Sequence, residues 1–207
     1  MQFLDACSDR EPGLFFGFYE SPARLLANSR SLGLSLPAHV AAGSLEFSWH
    51  PVAENILDEL GHGLVELVQA RGVRRLVVDG LAGFFAAATQ AERMERFLAC
   101  LCNELRRLGA TTLFTVETRD VTGITASTQF TAVSGIFDNV LYTRAASAQP
   151  ASGPTLSIVK MRGGAFDRSI RALRVGAPGV ALEDEPAPPT SAGETIDLDA
   201  GIAGAPK

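Results

Sequence analysis

The chain has 207 residues, somewhat more than one domain of typical length, about 150 residues. Hydrophobic residues make up 46% and charged residues 20%, which supports a packed core and excludes disorder of the whole chain. The net charge of −5 argues against a nucleic-acid coat and against a basic membrane patch.

The first half of the chain alternates predicted strands and helices. Gly13–Tyr19 is an apolar run that predicts a buried strand, residues 22–33 predict a helix, and Ser44–Trp49 predict a second strand. Helical spacing continues through Ala53–Arg71, and Arg74–Asp79 read as a third, unbroken apolar strand.

The same alternation continues with an amphipathic helix over Glu92–Leu108 and a strand over Thr111–Val116. Apolar strands of this kind, joined by helices, are typical of a parallel sheet with helices on both faces, so the predicted fold class is α/β. Large aromatic residues are expected in its core, namely Phe15, Phe16, Phe18, Tyr19 and Trp49.

The pattern changes after residue 138. Residues 139–143, 155–161 and 169–175 predict three strands with Gly, Pro and Ser-rich connections, which we expect to form an antiparallel C-terminal edge. All of the net negative charge lies in 183–207, where six carboxylates accompany one lysine. We therefore predict a folded domain over 1–182 and a flexible acidic tail after it.

Cysteine count and hydropathy predict a reducing, cytoplasmic location without a membrane anchor. Three cysteines are too few for a disulfide framework, and no apolar run reaches the ~18 residues of a membrane span. The three histidines show no metal-ligand spacing with cysteine or with one another, so we expect structural or surface roles for them. They are His39, His50 and His62.

Three carboxylates end predicted strands of the parallel sheet: Glu20, Asp79 and Glu117. Ligands of open parallel sheets gather at the carboxyl ends of the strands. Carboxylates there suit a hydrated Mg²⁺ ion or the activation of a water molecule. The alternative is that these polar residues simply end their strands at the solvent.

Five segments together resemble one family: FGFYES (16–21), RRLVVDG (74–80), GATTLFTVE (109–117), FDNV (137–140) and VKMRG (159–163). Their order and separations are similar to the KaiC branch of the RecA-type ATPases, over residues 1 to about 182. The resemblance implies a RecA-like sheet, ATP and Mg²⁺ as cofactors, and ATP hydrolysis between subunits of a homo-oligomeric, hexameric ring.

Glu117 is a candidate cofactor-binding carboxylate because of its place at the end of a predicted strand. For the other two carboxylates the resemblance implies roles residue by residue. Asp79 falls on the Walker B aspartate, which holds Mg²⁺ through water. Glu20 falls on the second of two adjacent catalytic glutamates, and Tyr19 replaces the first. Because a phenol ordinarily loses its proton near pH 10 only, Glu20 is expected to act alone as the base.

The same resemblance assigns two cations and one hydroxyl. Lys160 and Arg162 fall on a Lys-x-Arg pair that reaches the γ-phosphate held by the neighbouring subunit, where a planar guanidinium suits phosphate oxygens. Ser134 falls on the autophosphorylated serine of the kinase members, and Gly135 replaces the adjacent threonine, so Ser134 is a possible phosphosite.

A P-loop, Gly-x-x-x-x-Gly-Lys-Ser/Thr, does not occur in the 207 residues. Set against the family pattern, Met1 falls just after that motif. Either the start is misassigned or the sequence is a fragment, so that the complete protein is an ordinary ATPase, or the P-loop is lost and the chain is a non-catalytic module that docks on an intact KaiC-like paralogue. The expected partners are further copies of the chain or such a paralogue in a ring, and a regulatory protein. In both cases this chain is expected to bind ATP weakly.

Overall fold

Two separate β-sheets organise the computed structural model, which describes residues 1–52, 55–117, 135–144 and 153–186. Contacts divide the chain into two units, which we describe one at a time. The first comprises Met1–Glu117 together with Val175–Ala181, and the second comprises Thr118–Arg174 together with Leu182–Lys207.

The first unit contains a 3₁₀ turn at Leu4–Ala6 and an alternation of strands and helices. In chain order these are β1 (Gly13–Gly17), α1 (Pro22–Ser31), α2 (Leu36–Ala41), β2 (Leu45–Trp49), α3 (Leu57–Arg71), β3 (Arg75–Asp79), α4 (Ala82–Ala87), α5 (Arg93–Arg107) and β4 (Thr111–Phe114). The predicted strands and the three long helices are confirmed, whereas α2 and α4 are too short to stand out in the sequence.

The four strands form one parallel sheet in the order β2-β1-β3-β4. β1 and β3 are central, and every residue of β1 is buried, which explains its unbroken apolar sequence. The register pairs Gly17 with both Trp49 and Asp79, so the carboxyl ends of β2, β1 and β3 lie side by side. β4 ends the sheet, and its Leu113 is 40% exposed.

Neighbouring residues of β1 face opposite sides of the sheet, as the twofold repeat of a strand requires. Phe15 belongs to a core cluster with the 3₁₀ turn, α1 and α2, including Leu25 and Leu36. Phe16 stacks on Phe84 of α4, with ring centroids 5.9 Å apart. Helices therefore cover both faces, which confirms the predicted α/β architecture.

Two glycines end the long helices where the sequence placed the stops. Gly72 follows α3 with φ of 59°, and Gly109 follows α5 with φ of 76°. Left-handed backbone of this kind costs glycine little, because it has no Cβ. Ser21 precedes α1 but donates and accepts no capping hydrogen bond through its side chain; Pro22 at the first helical position suits the start instead.

The remaining strands are β5 (Asn139–Arg144), β6 (Thr155–Met161), β7 (Arg171–Gly176) and β8 (Gly179–Pro186). They form a second four-stranded sheet in the order β5-β6-β7-β8, with β5–β6 and β6–β7 antiparallel. The sequence predicted an antiparallel edge, and the structure places these strands in a sheet of their own. β8 was not predicted, and it continues past residue 182.

Two aromatic residues are not in the core, so their predicted burial is wrong. Trp49 is 43% exposed and Tyr19 is 58% exposed. Both stand at the carboxyl end of the sheet, Trp49 at the end of the edge strand β2 and Tyr19 beyond β1. The apolar sequence of each strand extends to these residues, although the helices do not cover the strand that far.

Candidate functional site

Asp79 is the last residue of the central strand β3, and a hydrogen bond from the residue directly after β4 fixes its carboxylate. Thr115 Oγ1 donates to Asp79 Oδ1 at 2.6 Å. Backbone pairing holds Thr115 there, since its N–H donates to Val78 O at 3.0 Å and its carbonyl accepts from Leu81 N at 2.9 Å. Asp79 is partly buried, so its carboxylate keeps access to solvent while its orientation is set.

Gly80 lies close against Thr115. A Cβ at Gly80 would lie 3.3 Å from Thr115 Oγ1 and 3.4 Å from its carbonyl oxygen, closer than most such contacts. The Asp79–Gly80 peptide bond is cis. The Asp-Gly pair of the RRLVVDG segment thus allows the close approach that brings the threonine hydroxyl to the carboxylate.

Glu20 follows the neighbouring strand at the same end of the sheet. Phe18 N donates to Asp79 O at 3.0 Å, which extends the pairing of the two chains just beyond β1. Glu20 lies two residues later, and its Oε1 accepts from Arg24 Nε at 3.0 Å. Because Arg24 is 73% exposed, water screens this ion pair strongly and the pair restrains Glu20 only weakly.

Glu117 lies beyond the end of β4 and is exposed. The β4 chain contributes Thr115 to the surroundings of Asp79, which the sequence reasoning missed. The available signal was the position of Thr115 directly after the apolar part of β4, at the carboxyl end of the sheet. The sequence reasoning assigned the carboxylate of Glu117, two residues later, and did not assign the hydroxyl of Thr115.

His50 is a second residue at this end of the sheet that sequence reasoning did not assign to the site. Its backbone N–H donates to Gly17 O at 2.8 Å, its ring stacks on Phe16 with centroids 4.4 Å apart, and its Nε2 lies 2.8 Å from Ser48 Oγ. Burial lowers the pKa of His50 and so favours the neutral ring. The spacing of Ser48 and His50, two apart at a strand end, was the available signal.

Lys160 and Arg162 belong to the second sheet and both contact the turn before β5. Lys160 Nζ donates to Phe137 O at 2.9 Å. The Arg162 guanidinium forms an ion pair with Asp138 at 3.0 Å and donates to Gly135 O at 3.0 Å. The two side chains therefore hold the FDNV turn within their own unit. Ser134, the possible phosphosite, lies outside the described residues.

The chemistry of the Asp79 surroundings fits a hydrated divalent cation. Within the described ranges, no group of three or more His, Cys, Asp or Glu side chains is arranged to enclose a metal ion. Mg²⁺ usually keeps several waters and binds through one or two carboxylates plus phosphates, and it does not need such a cage. A single oriented aspartate beside a threonine hydroxyl is a suitable donor set.

Among the described residues, no helix is both long and apolar enough to cross a membrane.

Comparison with known proteins identifies the family. The family described as "ATPase: KaiC" matches residues 1–186. The circadian clock oscillator protein KaiC of Synechococcus elongatus is 29% identical over 161 residues, which cover 74% of this chain and 31% of that protein. The same protein of Prochlorococcus marinus is 27% identical over 180 residues, 83% of this chain and 36% of that protein. This chain spans about a third of the length of these curated relatives, and it belongs to the KaiC ATPase family.

Proposed function

We propose that this domain supplies the magnesium-holding and water-activating edge of an ATP site in a cytoplasmic, KaiC-like hexameric ring. The observation that carries the proposal is the oriented carboxylate of Asp79 at the carboxyl end of a central parallel strand, fixed by Thr115. Ligands of open α/β sheets bind at this end of the strands. Membership of the KaiC ATPase family supports the same assignment.

Asp79 would hold Mg²⁺ through bound water, with its Oδ1 kept in place by the Thr115 hydroxyl. The ion would neutralise charge on the β- and γ-phosphates of ATP. Glu117, exposed beyond β4, would contribute negative charge to the same site. Thr115 prevents Asp79 from rotating away, so the aspartate needs no rearrangement when the nucleotide arrives.

Glu20 would accept the proton of the attacking water. It is the carboxylate that follows β1 at this edge, and a carboxylate is a common general base. The exposed Arg24 pairs with Glu20 but restrains it only weakly, so Glu20 can turn toward the attacking water when the nucleotide binds. Exchange of that weak ion pair for a bound water costs little, about 0–1 kcal/mol for exposed pairs.

Lys160 and Arg162 would act across a ring interface, on the γ-phosphate bound by a neighbouring subunit. Arg162 is 58% exposed, and its ion pair with Asp138 is of the weak, solvent-screened kind. A phosphate can therefore compete for the guanidinium, which offers it two parallel donors. Partners of this description are further copies of the chain or an intact KaiC-like paralogue.

Manganese–ATP provides the test, because paramagnetic broadening of amide NMR signals reports weak binding as well as tight binding. A polypeptide of these 207 residues lacks the P-loop motif, so we expect an affinity weaker than micromolar. Millimolar Mn²⁺–ATP should nevertheless broaden the Gly80 and Thr115 signals of the wild type. In Asp79→Asn this broadening should fall at least fivefold, since the variant removes the charge that holds the cation.

Asp9→Asn is the matched control, because Asp9 is an exposed aspartate of the same unit that precedes β1, on the amino side of the strand. It should leave the broadening at Gly80 and Thr115 unchanged. Equal broadening in the wild type and in Asp79→Asn would contradict the proposed cation site. Micromolar ATP affinity of the 207-residue chain would contradict the expected dependence on a P-loop.

A second candidate function is an interaction module that completes the site of an intact KaiC-like ATPase. It is favoured by the combination of a Lys160-x-Arg162 pair with a sequence that contains no P-loop motif. Adding the chain to such an ATPase should change its rate of ATP hydrolysis, and a Lys160→Ala, Arg162→Ala double variant should lose the effect. If the double variant acts like the wild type, the pair does not serve the partner's site.

A further inference from the structure

The amino ends of the parallel strands carry a cluster of arginines that the proposed ATP site does not use. A cavity of about 310 Å³ opens there. Its lining includes Arg10, Glu11, Arg74, Arg75 and Gly109. Three guanidinium groups against one carboxylate give this lining a positive charge, in a chain whose net charge is −5.

Arg75 is oriented before any ligand binds. Its Nε and Nη2 donate to Glu11 Oε2 at 3.0 and 2.6 Å, and its guanidinium lies 5.3 Å from the centre of the Phe3 ring. Arg75 is 27% exposed and Glu11 is 51% exposed, so solvent reaches the pair mainly from the Glu11 side. Glu11 is neutralised by Arg75, so it opposes an incoming anion only weakly.

Arg74 is oriented by the end of α5. Its Nη1 donates to Leu108 O at 2.9 Å. A Cβ at Gly109 would overlap the same Nη1, and Gly109 also has a left-handed φ of 76°. Glycine at this position therefore makes room for the guanidinium as well as ending the helix. The remaining donors of Arg74 are not used by these carbonyl contacts, because a guanidinium carries five N–H groups.

Arg10 supplies the third cation. It is exposed, and within the described part of the chain no carboxylate lies within ion-pair distance of its guanidinium. With Arg75 and Glu11 compensating each other, Arg10 and Arg74 leave an excess of two positive charges around the cavity.

We propose that this arginine pocket, formed by Arg10, Arg74 and Arg75, binds a phosphate dianion, either inorganic phosphate or the phosphoryl group of a small phosphomonoester. Guanidinium groups match phosphate oxygens through paired, charge-assisted hydrogen bonds. Two excess positive charges match the two negative charges of the dianion, and two of the three arginines are already held in place. Less side-chain ordering is then needed on binding.

The arginine pocket is separate from the proposed magnesium site. Arg75 begins β3 and Asp79 ends it, and four steps of about 3.3 Å along a strand separate them by roughly 13 Å. Binding at the two ends therefore perturbs different amide signals. The proposal does not depend on the proposed function, and each can fail without the other.

Titration with inorganic phosphate tests the pocket in the full 207-residue chain, with NMR as the readout and chloride keeping the ionic strength constant. We expect saturable shifts of the Gly109 and Thr111 amide signals. Arg10→Ala should weaken the affinity about fivefold or more, and Arg10→Glu should abolish saturation. Arg10 is exposed and lies outside the helices and strands, so these variants should fold normally.

Arg96→Ala is the matched control, an exposed arginine of α5 outside the cavity lining, and it should change the affinity less than twofold. Titration with ribose 5-phosphate beside ribose distinguishes the source: tighter binding than phosphate supports a phosphomonoester, and equal binding supports free phosphate. Shifts that do not saturate at tens of millimolar phosphate would overturn the proposal. An affinity that is unchanged in Arg10→Glu would also overturn it.

Discussion

Replacing Gly61 or Gly63 of α3 by alanine should have opposite effects on stability. Both replacements gain the same helix propensity, but only the one at Gly61 has a packing cost. Both glycines lie inside the helix, so each replacement by alanine gains the same backbone preference. A Cβ at Gly61 would stand 2.6 Å from Cε2 and 2.9 Å from Cζ of Phe97 on α5. No heavy atom of the described chain lies within 4 Å of a Cβ built at Gly63.

The expected change in the free energy of unfolding follows from these distances. Alanine in place of glycine stabilises a helix interior by about 0.8–1 kcal/mol. Carbon atoms pack at about 3.5–4.0 Å, so the Phe97 ring would have to move by roughly 1 Å. Its contact with the fully buried Phe84, at 5.4 Å between ring centroids, resists that movement. Overpacking of this kind costs about 1–3 kcal/mol.

We therefore expect Gly63→Ala to stabilise the protein by nearly 1 kcal/mol and Gly61→Ala to destabilise it by about 1 kcal/mol. For a chain of this length, each should move the thermal midpoint by about 2–4 °C, in opposite directions. Far-UV circular dichroism during heating or urea denaturation measures both. Phe97→Leu should reduce the loss caused by Gly61→Ala. The reasoning is refuted if Gly61→Ala is at least as stable as Gly63→Ala.

Two further predictions concern the carboxyl end of the sheet. Thr115→Val removes the hydroxyl that donates to Asp79 and should lower the free energy of unfolding by about 1 kcal/mol, whereas Thr115→Ser should lose less; equal urea midpoints for the two variants would count against this hydrogen bond. Burial lowers the pKa of His50 below the ~6.5 of an unfolded histidine, so its contribution to stability is present above that pH and is lost as the pH falls through the folded pKa. His50→Gln should therefore flatten the decline in unfolding free energy between about pH 7 and 5, and parallel declines for variant and wild type would contradict the assignment.

The fold was largely predictable because the signals that specify it are local. β1 and the three interior residues of β3 are apolar since both of their faces are covered, and α5 repeats apolar residues at helical spacing because only one of its faces is buried. Gly72 and Gly109 stop helices through their own backbone freedom. Short α2 and α4 were missed because two turns of helix leave too few repeats for a pattern.

The candidate site was predictable only in part, for a physical reason. Asp79 could be assigned from sequence, because the residue that ends a central parallel strand is placed by the strand itself. Its partner Thr115 depends on the register between β3 and β4, and the stacking of His50 on Phe16 depends on the pairing of β2 with β1. The sequence of one strand does not predict which residues of a neighbouring strand it pairs with.

Sequence alone therefore determined the α/β class, the order of the strands and long helices of the first unit, the family, and the end of the sheet where the carboxylates lie. The tertiary structure alone decided which side chains meet: Thr115 at Asp79, Arg24 at Glu20, and three arginines around one cavity at the opposite end of the sheet. The physical reason is the distance along the chain over which each kind of interaction acts. Periodicity and turn chemistry act within a few residues, whereas a site forms where segments tens of residues apart are brought together by the packing of the core.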